Sequence, residues 1–156
     1  MNKLHDDKQL GDKAAKLFWK DYNCAQSVIL AYSDVLQVDK ETVINLSCGF
    51  GGGMGRVQET CGAVSAACMI FGLANADLKD NPEKVAKTYT MFQTFHKQFT
   101  QLKGTTVCKA LINCDLNTEE GQGYFKANNL KKDICEGCIR DSVKLINEII
   151  RESHRE

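Results

Sequence analysis

The chain has little proline and no excess of charge of either sign. Its 156 residues include one proline, Pro82, and 20 Lys and Arg balance 20 Asp and Glu, so the formal net charge is zero. Without a basic surplus there is no electrostatic case for binding nucleic acid or an anionic membrane. Sustained period-two alternation and Asn-Gly or Asp-Gly hairpin turns are also missing, which leaves little room for a β-sheet.

Long apolar runs are missing as well. The longest uncharged run, residues 60–76, is shorter than the roughly 20 apolar residues that cross a bilayer, so no membrane span is expected. The first ten residues are polar and contain no apolar core of the kind found in a signal peptide. We therefore expect a cytoplasmic protein, in a compartment where thiols stay reduced.

Apolar residues instead recur at helical spacing through most of the chain. The best-defined helix has a cap at Asn81, Pro82 at its first position and a stop at Gly104, and an apolar and aromatic seam from Val85 to Leu102. That seam is typical of core packing or of a dimer contact, so a homodimer is one expectation. The prediction is an all-α, single-domain helical bundle of six or seven helices over residues 1–156, with residues 1–7 and 152–156 frayed.

Cysteine is abundant where other special residues are scarce. The eight cysteines stand at positions 24, 48, 61, 68, 108, 114, 135 and 138. In a cytoplasmic protein, so many cysteines favour metal or redox chemistry over structural disulfides. The alternative is that they are small buried core residues.

Four of the cysteines share one local setting. Each follows a candidate N-cap within the first helical turn, in Asn23-Cys24, Thr60-Cys61, Thr106-Val107-Cys108 and Asp133-Ile134-Cys135. The positive end of the helix dipole would lower the thiol pKa there from about 8.5, and thiolates are the species that attack disulfides and bind metals. A common polar residue beside a buried cysteine is the alternative interpretation. For Cys135, the last helix could instead begin earlier, near Asn129.

Two further patterns bear on the same chemistry. The amides of Gly51, Gly52 and Gly53 could donate to a sulfur anion, whereas the loop lacks the Gly-Lys-Ser/Thr and the preceding strand that a nucleotide site needs. By itself it could equally be a flexible turn. The Cys135-x-x-Cys138 pair could bind one metal or form a labile disulfide, and Ile139 in place of His excludes covalent haem attachment.

Three motifs resemble a known family. Residues 22–27 (YNCAQS), residues 49–55 (GFGGGMG) and Cys61-Gly62-Ala63 are similar to the putative redox-active proteins named for a C, CGAxxG, C, C pattern. Ala66 stands where the pattern ends in Gly. Cys108 fits the third cysteine of the pattern, and Cys135 fits the fourth better than Cys138 does.

The resemblance implies a helical domain whose four cysteines gather at one redox or metal site. A similar cysteine domain accompanies haem in split-Soret cytochromes, where an iron–sulfur cluster has been proposed, but this chain lacks haem motifs. Our first hypothesis is that Cys24, Cys61, Cys108 and Cys135 bind an iron–sulfur cluster or zinc for electron transfer or redox sensing, with an unidentified redox partner. The amides of Gly51, Gly52 and Gly53 would tune that site.

Two other hypotheses remain open. In the second, the protein is a metal-free thiol–disulfide redox protein in which a low-pKa Cys24 or Cys61 attacks. In the third, it is a non-enzymatic binding or assembly domain with inert core cysteines. Cys48, Cys68 and Cys114 are expected to be ordinary buried thiols unless the fold places them beside the others, and Cys138 is an uncertain fifth member of the site.

Overall fold

The computed structural model describes residues 6–155, which form α-helices joined by short turns and include no β-strand. The all-α prediction is confirmed. The eight helices are α1 (Asp7–Phe18), α2 (Cys24–Tyr32), α3 (Lys40–Ser47), α4 (Gly62–Ala74), α5 (Asn81–Lys103), α6 (Cys108–Ile112), α7 (Glu119–Ala127) and α8 (Gly137–Ser153). A glycine turn, residues 48–56, follows α3 and leads towards α4. A π-helical turn, Lys131–Glu136, leads into α8. Of the ends predicted to fray, residues 1–5 and 156 lie outside the described part, and the fraying stays a prediction.

Side-chain caps start the helices that frame the core. Asn23 accepts from the Gln26 amide at 2.9 Å, and the Gln26 side chain accepts from the Asn23 amide at 3.1 Å, which completes a capping box at α2. Asp39 caps α3 through its carboxylate, which accepts from the Thr42 amide at 2.8 Å. Asp80 caps α5, one residue before the predicted Asn81, because its carboxylate reaches the Glu83 amide at 3.0 Å.

Helix α2 lies at the centre of the fold. It packs against α1, α3, α4 and α8, and eight of its nine residues are buried. Helix α4 approaches it closely because the buried α4 residues Ala63, Ala66 and Ala67 are small. The Phe71 ring of α4 meets Phe95 of α5 edge-on, with their centroids 6.0 Å apart. The first residues of α2 and α4 are thereby fixed beside each other at one end of the core.

Polar contacts fasten α1 and α8 around α2. The buried Tyr32 hydroxyl donates to Asn147 Oδ1 at 2.7 Å, and Asn147 Nδ2 donates to the Asp7 carboxylate at 2.8 Å. Arg151 also pairs with Asp7. Burial raises the pKa of Tyr32 well above its usual value, so this hydroxyl stays a neutral donor.

The predicted seam of α5 is only partly core. Phe95 and Phe99 are buried, but Tyr89 and Leu102 are 64% and 57% exposed. The homodimer expected from this seam therefore stays a prediction. Within residues 6–155, no helix combines the length and the apolar character needed to cross a membrane.

Candidate functional site

One cavity gathers the cysteines that the sequence singled out. It has a volume of about 800 Å³ and lies between the glycine turn, the starts of α2, α4 and α6, and the π-helical turn. The four site cysteines that line it are Cys24, Cys61, Cys108 and Cys135. They come from four parts of the chain, so only the tertiary fold brings them together.

Cys24 is placed by its cap and by two close glycines. The Asn23 side chain caps α2 and also donates to the Cys48 carbonyl at 2.9 Å, which ties the start of α2 to the glycine turn. The Cys24 sulfur accepts hydrogen bonds from the amides of Gly52, Gly62 and Ala25. A Cβ at Gly62 would lie only 2.4 Å from that sulfur. Glycine at position 62 is therefore required for α4 to approach Cys24.

Cys61 and Cys108 are held opposite each other by a short antiparallel bridge. Thr60 and Val107 form the bridge, and the amide of Cys61 donates to the Thr106 carbonyl at 2.8 Å. The amide of Cys108 donates to the Glu59 carbonyl at 2.6 Å. Cys61 is itself the N-cap of α4, instead of following a Thr60 cap, and its thiol hydrogen-bonds to that of Cys138.

Cys135 does not stand at the start of an α-helix, and that prediction is wrong. It lies in the π-helical turn Lys131–Glu136, where Asp133 makes no capping hydrogen bond. The next residue, Glu136, anchors this turn: its carboxylate accepts from Trp19 Nε1 at 2.7 Å and from Lys132 Nζ at 2.9 Å. These contacts replace a helix cap because they fix the turn to α1.

The three predicted glycines have different roles. The amide of Gly52 donates to the Cys24 sulfur, which agrees with the prediction that amides of this turn donate to sulfur. A Cβ at Gly51 would lie 2.5 Å from the Asn23 side chain, and one at Gly53 would lie 2.7 Å from Cys108 Cβ. Gly51 and Gly53 therefore allow the glycine turn to pass close to Asn23, which caps α2 at Cys24, and to Cys108.

The pKa values of the four site thiols are raised, whereas their expected positions at helix starts predicted lowered values. Burial, then the nearby Cys61 thiolate, raises the pKa of Cys24 to about 11, although three amides act to lower it. Burial and the charges of Cys61 and Cys24 raise the pKa of Cys108 to about 12. The pKa of Cys61 is raised well above its usual value by its hydrogen bond to Cys138 and by burial, and burial raises the pKa of Cys135. The predicted low pKa is wrong because desolvation and mutual repulsion outweigh the helix-start effect.

The arrangement does not match a single metal ion. Around one zinc ion, thiolate sulfurs lie about 3.8 Å apart, since each Zn–S bond is about 2.3 Å. Among residues 6–155, no three Cys, His, Asp or Glu side chains are placed to hold one ion together. The donor types suit a metal centre, although the four thiols of the described chain are not gathered around one point.

The remaining cysteines differ from the sequence expectation. Cys48 and Cys68 are exposed and Cys114 is half-buried, so the expectation that all three are buried is wrong. Cys48 and Cys138 both line the cavity. In the sequence, only the spacing of Cys138 from Cys135 indicated that Cys138 could join the site. Its contact with Cys61 could not be predicted, because it depends on how α8 packs against α4.

Comparison with known proteins gives one match. The sequence model of the family described as "Putative redox-active protein (C_GCAxxG_C_C)" matches residues 22–149. The motif printed in that description differs from Cys61-Gly62-Ala63 in the order of its first two residues, and Ala66 stands at its last position. No curated protein and no solved structure matches the chain.

Proposed function

The chain belongs to the family of putative redox-active proteins (C_GCAxxG_C_C), and on that basis we propose that its four site cysteines hold an iron–sulfur cluster for electron transfer or redox sensing. The observation that carries the proposal is that four thiols, distant in sequence, line the same cavity. Four cysteine thiolates are the usual ligands of two-iron and four-iron clusters.

The family description favours a cluster over zinc. The family is described as redox-active, whereas zinc has no redox chemistry of its own and an iron–sulfur cluster does. The amides of Gly52 and Gly62 at the Cys24 sulfur would help to set the reduction potential of the cluster.

The electrostatics of the four thiols point the same way. Burial, and after it the charges of other cysteines, disfavours the thiolate forms of Cys108 and Cys135. Iron supplies the positive charge that offsets such repulsion, and metal binding releases the thiol protons. Raised pKa values slow nucleophilic attack by these thiols, in contrast, because the thiolate is the attacking species.

A second candidate function rests on the contact between Cys61 and Cys138. Their thiols are both buried and are hydrogen-bonded to each other. Oxidation of this pair would form one disulfide and release two protons and two electrons, which would reduce a substrate disulfide to two thiols. In this case the protein is a metal-free thiol–disulfide redox protein.

Anaerobic purification followed by absorption spectroscopy tests the first proposal. We expect visible absorption that bleaches on reduction, that is lost in Cys24→Ser and Cys108→Ser, and that persists in the matched control Cys68→Ser at an exposed thiol. Colourless protein with less than about 0.2 iron per chain, even after anaerobic reconstitution, contradicts the cluster. If peptide mapping then finds a Cys61–Cys138 disulfide after mild oxidation, the second candidate is supported instead.

A further inference from the structure

The charged side chains that line the cavity are all basic. They are Arg56 of the glycine turn, Lys126 of α7 and Lys131 of the π-helical turn, and no Asp or Glu of the described residues lines the cavity. In a chain with zero net charge, the cavity is thus a local basic site beside the cysteines.

These three cations are available to a ligand. Within residues 6–155, no carboxylate lies within ion-pair distance of Arg56, Lys126 or Lys131, although five other lysines and two other arginines are so paired. Lys131 is positioned instead by two aromatic rings, with its Nζ 4.8 Å from the Phe18 centroid and 4.5 Å from the Trp19 centroid. A cation held over aromatic faces keeps its charge and can still pair with an anion.

The rest of the wall is largely apolar. Aromatic and aliphatic side chains make up this part of it, namely Phe18, Trp19, Leu111, Leu116, Phe125 and Ile134. A volume of about 800 Å³ lies within the range of small-molecule sites, which combine an apolar wall with a few placed polar groups.

Arg56 reaches the cavity from a backbone that most residues avoid. Residues 52–56 all have positive φ, from 62° to 68°, and two of them, Met54 and Arg56, carry side chains. Each such residue costs roughly 1–2 kcal/mol in the left-handed conformation. The Asn117 side chain donates to the Arg56 carbonyl at 2.8 Å and helps to hold it. Backbone strain of this kind is concentrated at binding and catalytic sites.

We propose that the cavity binds a small organic acid, whose anionic group pairs with Arg56, Lys126 and Lys131 and whose apolar body packs against the aromatic wall. The ligand would lie beside the site cysteines. A redox role for the bound acid rests on the proposed function, whereas the binding of the acid does not. Binding itself requires no metal and no oxidation, so it is measured separately from iron content.

The single tryptophan, Trp19, lies in the cavity wall and is the natural reporter. Octanoate, octan-1-ol and octylamine are titrated into the full chain while its fluorescence is followed, with calorimetry in parallel. We expect octanoate to saturate one site at roughly millimolar concentration and octanol and octylamine to bind at least about tenfold more weakly. Inorganic phosphate should also bind weakly, because it has no apolar body.

Charge variants make the test specific. Arg56→Gln with Lys126→Gln should weaken octanoate binding by about tenfold or more. The control, Lys79→Gln with Lys97→Gln, removes the same charge at exposed sites outside the cavity and should leave binding unchanged. No saturation up to about 20 mM, equal binding of octanol, or equal effects of the two double variants would overturn the inference.

The cluster and the organic-acid site can be contradicted separately, by iron content and by octanoate binding. If iron is present but octanoate does not bind, the organic-acid site is wrong and the proposed cluster stands. If octanoate binds and the reconstituted chain holds no iron, the cluster is wrong and the organic-acid site stands.

Discussion

Gly62 determines how close α4 comes to the Cys24 sulfur. We expect Gly62→Ala to lower the free energy of unfolding by about 1–3 kcal/mol, because its Cβ would lie 2.4 Å from Cys24 Sγ and 2.9 Å from the Phe50 carbonyl. The control is Gly72→Ala in the same helix, where a Cβ meets nothing within 4 Å. It should raise stability by about 0.5–1 kcal/mol. Urea denaturation measures both, and equal effects of the two variants would show that the close approach is not needed.

The raised thiol pKa values predict slow alkylation of the metal-free, reduced chain. With pKa values of about 11 and 12, Cys24 and Cys108 are protonated at neutral pH, and the neutral thiol is a poor nucleophile. Iodoacetamide at graded pH, read by peptide mass spectrometry, should modify the exposed Cys48 first. The chain unfolded in urea is the control for accessibility. Reaction of Cys24 with an apparent pKa below about 7.5 would instead support a nucleophilic thiol.

At the residue scale, the sequence predicted where the helix of Cys24 starts, but it did not predict the pKa of the Cys24 thiol. The start of α2 at Cys24 follows from Asn23 and Gln26, a contact across three residues. The pKa of Cys24 depends on burial and on Cys61, which lies 37 positions away in the sequence. A local pattern therefore revealed the helix start, but the sign of the pKa shift required the tertiary arrangement.

Among the elements, the glycine turn holds two residues with side chains, Met54 and Arg56, at positive φ. Met54→Gly should raise the free energy of unfolding by up to about 1 kcal/mol, because an exposed side chain at φ 65° is replaced by a residue that tolerates this conformation. Val57 is exposed too but is not among the residues with positive φ. Val57→Gly should therefore lower stability by about 0.5–1 kcal/mol. Thermal unfolding of both variants checks the prediction, and destabilisation by Met54→Gly would contradict it.

The π-helical turn that carries Cys135 depends on Glu136. Although burial opposes its charge, hydrogen bonds from Lys132, Trp19 and Arg140 lower the pKa of this carboxyl to about 2. A lowered carboxyl pKa contributes stability above the unfolded-state value of about 4.5, and that contribution is lost as pH falls towards 2.

Glu136→Gln should consequently cost about 1–3 kcal/mol at pH 7 and flatten the loss of stability between pH 4.5 and 2. Glu152→Gln, at an exposed site of α8, is the matched control and should do neither. Denaturation at several pH values, with Trp19 fluorescence as the probe, provides the measurement. Identical pH profiles for the wild type and Glu136→Gln would remove Glu136 as the anchor of the turn.

Elements with their own caps could be predicted from sequence, and elements held by distant partners could not. Helices α2 and α5 have caps at or within one residue of the predicted positions, since their signals are local. The turn containing Cys135 is held instead by Trp19, which is more than a hundred residues away in the sequence. Nothing near Asp133 encodes that contact, which explains why the predicted helix start there is wrong.

For the molecule as a whole, helical periodicity was enough to predict the all-α class. It was not enough to predict the cavity, whose walls come from helices that meet only in the folded chain. The cysteine pattern indicated four members of the site and Cys138 as an uncertain fifth, but the fold was needed to place Cys48 and Cys138 in the cavity wall. The family model extends over residues 22–149 and so includes all four site cysteines.

The iron and acid-labile sulfide content of the full chain tests most directly whether these cysteines form one cluster-binding centre. The chain is purified and reconstituted under strictly anaerobic conditions before both are measured. We expect equal amounts of iron and sulfide, about two or about four of each per chain, and their loss in Cys24→Ser but not in Cys68→Ser. Less than about 0.2 iron per chain, or iron content unchanged by Cys24→Ser, would contradict a cluster held by these cysteines.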